Sequence, residues 1–193
     1  MCGRYEFADT GQDEMLAEII ARLGRSCPGA CKTGEIFPGD TAPAVIVRNG
    51  KIVPVPAVFG FPAYEGGRLI INARSETAAE KKSFSGPLRE ARAVIPANGF
   101  YEWSHNARKT KYLFDAENRS ALYLCGIWRF LDGQYRFVIL TRAADPIMKP
   151  VHDRMPVIIG RDSVRAYLTD YAEALRILQE APPTLRKTEQ IRT

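Results

Sequence analysis

An Asn-Gly pair between two β-rich runs constrains this chain more than any other local feature. Ala44-Val45-Ile46-Val47-Arg48 leads into Asn49-Gly50, and Lys51-Ile52-Val53 leads out. Both turn residues tolerate the positive φ that a two-residue hairpin demands, so the pattern predicts an antiparallel pair. Further runs of strand character follow: Leu69-Ile70-Ile71, Ala93-Val94-Ile95-Pro96, Gly99-Phe100-Tyr101-Glu102-Trp103 and residues 111–114. Residues 122–130 and 135–140 extend the series, joined by Leu131-Asp132-Gly133-Gln134 as a hairpin loop. Tyr5-Glu6-Phe7 alternates as a short strand does. A helix is expected from about Gln12 to Leu23, capped by Asp9 or Thr10 and ended by Gly24, because Met15, Leu16, Ile19, Ile20 and Leu23 recur at helical spacing. A helix start is also expected near Ser75 or Thr77. Other helices are expected only near the end, at about 162–168 and 171–179, before Pro182-Pro183 and a polar, basic tail. Many strands, few helices and no βαβ alternation predict a curved, largely antiparallel α+β domain, taken as residues 1–180 with a tail at 181–193.

The four cysteines, Cys2, Cys27, Cys31 and Cys125, are too sparse for a disulfide framework. No charged-then-apolar leader precedes them, so a reducing cytoplasm is the expected compartment. No apolar run reaches the ~18 residues of a membrane span. The Cys27-x-x-x-Cys31 spacing invites a zinc reading, but a tetrahedral site wants four ligands, and only Cys2, Cys125, His105 and His152 could complete it. Neither a metal nor a cofactor is expected. Lys and Arg outnumber Asp and Glu by 27 to 22, for a net charge of +5, which suits a polyanionic partner without demanding one.

The start, Met1-Cys2-Gly3-Arg4-Tyr5, places a nucleophile directly behind a methionine. Removal of Met1 would expose an α-amine and a thiol on adjacent carbons, with ordinary pKa values of about 7.7–8.0 and about 8.5. Such a pair can attack one electrophile in succession. The plain alternative is a Cys with no role.

Four polar stretches interrupt the β-rich chain. In Ile71-Asn72-Ala73-Arg74-Ser75-Glu76-Thr77, Asn72 can donate and accept hydrogen bonds and Arg74 can grip a phosphate with two parallel donors; a solvated helix cap is the alternative. In Asn98-Gly99-Phe100-Tyr101-Glu102-Trp103, Glu102 sits between two large aromatics. It either faces solvent or, in a semi-buried pocket, serves as a general acid or base. In Val151-His152-Asp153-Arg154-Met155-Pro156, His152 is a proton shuttle or a structural histidine, and Arg154 a second phosphate ligand. In Leu140-Thr141-Arg142-Ala143-Ala144-Asp145, Thr141 bonds a phosphate or sugar, or caps the turn.

Taken together and in order, Met1-Cys2-Gly3-Arg4-Tyr5, residues 71–77, residues 99–103 and His152-Asp153-Arg154-Met155-Pro156 resemble the SRAP family, the SOS-response-associated abasic-site processing proteins. The resemblance spans roughly residues 1 to 170. It implies curved antiparallel sheets forming a barrel-like core with a few peripheral helices, and covalent attachment to abasic sites in single-stranded DNA. It also implies Cys2 as the crosslinking residue, with Asn72, Glu102 and His152 as active-site companions. Arg4, Arg74, Thr141 and Arg154 fall where the family contacts DNA. A monomer associated with the nucleoid is the implied state, with peptidase-like removal of Met1. Two stretches depart from the family. Phe59-Gly60-Phe61-Pro62-Ala63-Tyr64 stands where many members have Trp-Gly-Leu-x-Pro-x-Trp-Trp, and Gly34-Glu35-Ile36-Phe37-Pro38 where many have Tyr-Asn-x-Ala-Pro. Class II glutamine amidotransferases also mature to an N-terminal Cys followed by Gly, the amine serving as base for the thiol. A non-catalytic single-stranded DNA binder with a basic groove is the third reading.

Overall fold

Five strands close into a barrel. The computed structural model describes residues 2–8, 11, 13–63, 66–105 and 108–190. In it, β3 (Thr41–Arg48) and β4 (Lys51–Phe59) form the expected hairpin, with Arg48 opposite Lys51 across the Asn-Gly turn. β8 (Arg92–Ala97) joins the free edge of β3, β11 (Leu122–Leu131) joins β8, and β12 (Gln134–Ala143) joins both β11 and β4. That last pair of contacts completes the ring. Every residue of β8 is buried, as expected of a strand covered on both faces.

Beyond Gly126 and Ile139, β11 and β12 are no longer paired to each other, and residues 154–159 enter between them. β13 (Arg154–Pro156) pairs with β12, and β14 (Ile158–Ile159) with β11. Val157 bridges the two: its N–H donates to Leu140 O, and its carbonyl accepts from Cys125 N, both at 2.8 Å. On the other edge of β12, β7 (Asn72–Arg74) pairs in parallel, with Asn72 beside Ile139 and Arg74 beside Thr141. The polar ends of three distant segments therefore share one end of β12. β5 (Phe61–Pro62) and β6 (Leu69–Ile70) form a small separate ribbon.

A second sheet lies against the barrel. It is ordered β15 (Leu185–Gln190), β10 (Lys111–Ala116), β9 (Gly99–Trp103), β1 (Arg4–Phe7), β2 (Gly34–Ile36). The chain passes from barrel to second sheet at Asn98, whose N–H donates to Glu6 O and whose side chain accepts from Ala8 N at 2.6 Å. Gly99 follows because a Cβ there would sit 2.8 Å from both Leu113 Cδ1 and Phe114 O. Tyr5 meets Phe59 edge-on at 5.8 Å, and Phe59 stacks on Phe137 at 5.1 Å, tying the sheets together through buried rings.

Several elements differ from expectation. α1 (Glu14–Ser26) is capped by Asp13, which accepts from Leu16 N at 3.0 Å; Asp9, Thr10 and Gln12 lie outside the described residues. Gly24 does not end the helix, which runs two residues further, to Ser26. The left-handed glycine is Gly29, in the following turn, so Gly24 stays helical at a cost of about 1 kcal/mol relative to Ala. The start at Ser75 gives only a short helix, α2 (Ser75–Ala78). α3 (Lys82–Glu90) was not expected; although it contains Gly86 and Pro87, burial of Phe84 and Leu88 one turn apart holds it. α4 (Val164–Thr169) and α5 (Tyr171–Ile177) stand where expected. The stretch read as a tail contains β15, paired along all six residues of β10, because Arg186 grips Asp115 through Nε and Nη2 at 2.7 and 2.5 Å.

Buried Arg92 links the helices to the barrel. Its guanidinium donates to Leu88 O and Arg89 O near the end of α3 and to Tyr167 O and Leu168 O near the end of α4. One fork thus satisfies carbonyls that two helix ends would leave open.

Candidate active site

Cys2 immediately precedes β1, which is hydrogen-bonded on both edges, to β2 and to β9. Arg4 opposes Tyr101, so one step further along that register Gly3 would face Glu102. Glu102 is buried, and its Oε1 accepts the Trp103 N–H at 3.3 Å. From the opposite side, Asn72 Nδ2 donates to Cys2 O at 3.2 Å and to Ile139 O at 3.4 Å. Asn72 Oδ1 is buried without a hydrogen-bond partner among the described residues, an acceptor left over for a bound hydroxyl.

His152 enters from the loop before β13. Its ring Nδ1 lies 2.9 Å both from the Arg154 N–H and from Asp153 Oδ1. These contacts compete, because an Nδ1 that accepts from the backbone cannot also donate to a carboxylate. The backbone bond prevails in the neutral ring, since the Asp153 side chain is 85% exposed and screened by water. The proton then resides on Nε2. Burial lowers the His152 pKa; the His105 ring, 5.2 Å away, lowers it further, while Glu102 and Asp153 oppose the shift. At neutral pH His152 is therefore uncharged.

Burial pushes the Cys2 thiol far above its ordinary pKa, and the Glu102 carboxylate adds to the rise. The thiol is protonated at neutral pH and needs a base when it attacks. The structure thus brings Cys2, Asn72, Glu102 and His152 together from four segments. A protonated thiol, a carboxylate, a neutral imidazole and an amide converge there, a set suited to stepwise addition to a carbonyl carbon.

The four residues expected at DNA occupy different situations. Arg4 stacks over Phe37 and Trp103, 4.3 and 4.7 Å from the ring centroids, and pairs with Glu35 at 3.3 Å. Arg74 is exposed, and its guanidinium has no ion-pair partner among the described residues. Arg154 forms a two-pronged pair with Glu76 at 2.6 and 2.8 Å and donates to Thr141 O at 2.6 Å. Thr141 is 1% exposed, and its hydroxyl donates to Ala73 O at 3.4 Å, so its side chain faces the interior.

Sequence reasoning left Glu35 without a role and missed Lys111. Lys111 Nζ lies 2.7 Å from Glu35 and 3.9 Å from the Tyr101 ring centroid, so Glu35 ties two cations beside the site. Only the odd carboxylate in Gly34-Glu35-Ile36 hinted at this.

Fold and site together describe a barrel protein that holds a thiol beside its first strand, between an acid–base pair and an amide. The chain belongs to the family described as SOS response associated peptidase (SRAP), which matches residues 1–192. It is 36% identical over 128 residues to the abasic site processing protein YobE of Bacillus subtilis, covering 60% of this chain and 58% of that protein. It is 27% identical over 177 residues to the abasic site processing protein YedK of Escherichia coli, covering 87% and 79%. The match thus spans somewhat more than half the length of the Bacillus relative. A crystal structure of a Bordetella bronchiseptica protein superposes with a TM-score of 0.76 at 18% identity, covering 98% of this chain and 100% of that one, which supports the fold. No helix among the described residues is long and apolar enough to cross a membrane.

Proposed function

We propose that this protein processes abasic sites in single-stranded DNA by bonding to them covalently through Cys2. The observation that carries this reading is the meeting of Asn72 with Cys2, 70 positions apart, beside a buried carboxylate and a neutral imidazole. The relatives named as abasic site processing proteins support it.

The chemistry begins when hydrolysis of the Met1–Cys2 peptide bond frees the Cys2 amine. The neutral amine attacks the aldehyde carbon of the open deoxyribose, forming a C–N bond as the C=O π bond opens, and Glu102 passes the first N–H proton to the oxygen, which becomes a hydroxyl, leaving Glu102 ionised again. His152, protonated only transiently because burial opposes its charge, takes the second N–H proton and delivers it to that hydroxyl, which leaves as water. The resulting imine carbon accepts the Cys2 sulfur, whose proton passes to Glu102 and on to nitrogen. A five-membered thiazolidine forms, and the balance is one aldehyde plus one aminothiol giving one ring and one water. Asn72 Oδ1 orients a sugar hydroxyl. Arg4 and Arg74 are the cations placed to meet flanking phosphates.

The test incubates processed protein with an oligonucleotide carrying one abasic site and reads heat-stable adduct on a denaturing gel. Wild type gives an adduct whose mass is the sum of the parts less one water. Cys2→Ser gives only an imine that hydrolyses, so a heat-stable adduct from that variant rules out the ring.

A further inference from the structure

A large cleft lies away from Cys2. It measures about 1170 Å³ and is walled by the end of α1, the β3–β4 hairpin and the β11–β12 turn. Arg22, Arg25, Arg48 and Lys51 line it, and no Asp or Glu does. Arg22 is held by Glu18 at 2.7 Å. Arg25, Arg48 and Lys51 have no carboxylate partner among the described residues.

An aromatic ladder runs from this cleft, at Tyr135, to a neighbouring hollow that Trp128 and Phe130 line together with Glu90. Phe130 and Tyr135 oppose each other across β11 and β12, their ring centroids 5.0 Å apart, and Trp128 packs edge-on to Tyr135 at 5.3 Å. Tyr135 also lines the cleft, and its hydroxyl accepts from Arg48 at 3.5 Å. Phe130 is 58% exposed. One exposed ring, Phe130, one ring away from a cleft of unpaired cations is a combination that single-stranded nucleic acid uses: a base stacks on the ring and phosphates meet the cations. An acidic protein segment would satisfy the charge but has no planar groups to match the ladder.

We propose that the cleft and its ladder form a second site for single-stranded nucleic acid, distinct from the one around Cys2. Phosphates sit at Arg25, Arg48 and Lys51, and a base stacks on Phe130. The two sites lie along one strand: Tyr135 is six residues from Thr141 on β12, so at ~3.3 Å per residue they are ~20 Å apart. An unstacked single strand extends beyond the ~3.4 Å per nucleotide of duplex DNA, so a strand of about six nucleotides or more reaches both. The second site anchors the strand at a distance while the first engages the lesion, compensating for the fewer aromatics at residues 59–63. The partner is taken from the function proposed above, but the test separates the two.

Binding of an intact oligonucleotide of about 24 nucleotides to the full chain carrying Cys2→Ala is followed by fluorescence anisotropy across salt concentrations, with Arg25→Ala/Lys51→Ala and Phe130→Ala compared. All three side chains are at the surface. The double variant is expected to weaken binding and flatten the log–log salt slope by roughly 1.4, two contacts at about 0.7 each. Phe130→Ala is expected to weaken binding about fivefold or more without changing the slope. With Cys2 intact, covalent adduct on an abasic oligonucleotide of about three nucleotides, too short to reach the cleft, stays at the wild-type level. Unchanged affinity and slope in both variants overturn the second site whatever the adduct assay gives. Weakened binding with no adduct from any oligonucleotide overturns the covalent reading and leaves the cleft standing. An acidic peptide that competes as well as DNA of equal charge overturns the assignment to nucleic acid.

Discussion

Arg154 and Glu76 grip each other through two parallel bonds of 2.6 and 2.8 Å, which commits one of the expected DNA-binding cations to a carboxylate of its own chain. Hydrogen bonding from Arg154 holds the Glu76 pKa down to about 2. Glu76→Gln is therefore expected to release the guanidinium, raising affinity for single-stranded DNA and steepening the log–log salt slope by about 0.7. Arg154→Ala leaves the wild-type slope unchanged, and a slope that flattens in that variant would mean Arg154 already meets phosphate.

The same pair has a pH signature. A carboxyl with a depressed folded pKa contributes stability that is fully present above its unfolded value of about 4.3 and is lost as pH falls toward 2. The Glu76 side chain is 45% exposed, so the effect is modest. Urea unfolding between pH 5 and about 2.5 should show a shallower loss in Glu76→Gln than in wild type. Parallel curves would remove the pair from the acid response.

His152 acts in a higher pH window. Its pKa is lowered in the folded chain, so the unfolded chain takes up this proton first. Its contribution to stability is complete above about 6.5 and declines as pH falls through the lower folded value. His152→Asn is expected to flatten the stability curve just below pH 6.5 and to slow adduct formation at every pH. Adduct formation at the wild-type rate in this variant would remove His152 from the proton path.

Asn72 holds the Cys2 carbonyl, and in the reaction proposed above its unpartnered Oδ1 meets the sugar. Asn72→Ala removes both, and a slowing of adduct formation of about tenfold or more corresponds to ~1.4 kcal/mol of lost positioning. Melting temperature reads the structural part of the effect, and a variant that melts far lower with unimpaired adduct formation would make Asn72 a scaffold residue only.

Arg92 tests the fold independently of the site. Arg92→Met strands four carbonyls at the ends of α3 and α4, for an expected loss of about 3 kcal/mol. In a chain of this size that lowers Tm by roughly 6–12 °C. Adduct formation well below the transition should be unaffected.

What the sequence made legible was local. The β3–β4 hairpin could be read because Asn49 and Gly50 carry the turn chemistry themselves, whereas Cys2, Asn72, Glu102 and His152 stood out only through the order of several short motifs that resemble a family, none of them specific alone. β15 was hidden because its partner is β10, more than 70 residues earlier, and its own residues are mostly polar. α3 was hidden because Pro87 and Gly86 argue against a helix that only burial of Phe84 and Leu88 sustains. The role of Glu35 depends on four strands, β2, β1, β9 and β10, lying side by side, which no window of sequence contains.

β1 is flanked on one edge by β2, which follows early, and on the other by β9, which begins only at Gly99; the loop bearing His152 follows some 50 residues afterwards. During synthesis at about 5–20 residues per second, the first residues are therefore in the open for roughly 5–30 s before their surroundings exist. Whatever precedes Cys2 is accessible to a trimming enzyme in that interval. Once β9 docks, the terminus is pinned between two strands and Cys2 is 1% exposed. For the function proposed above, the order in which strands emerge thus sets a window in which Met1 can be removed before the site closes.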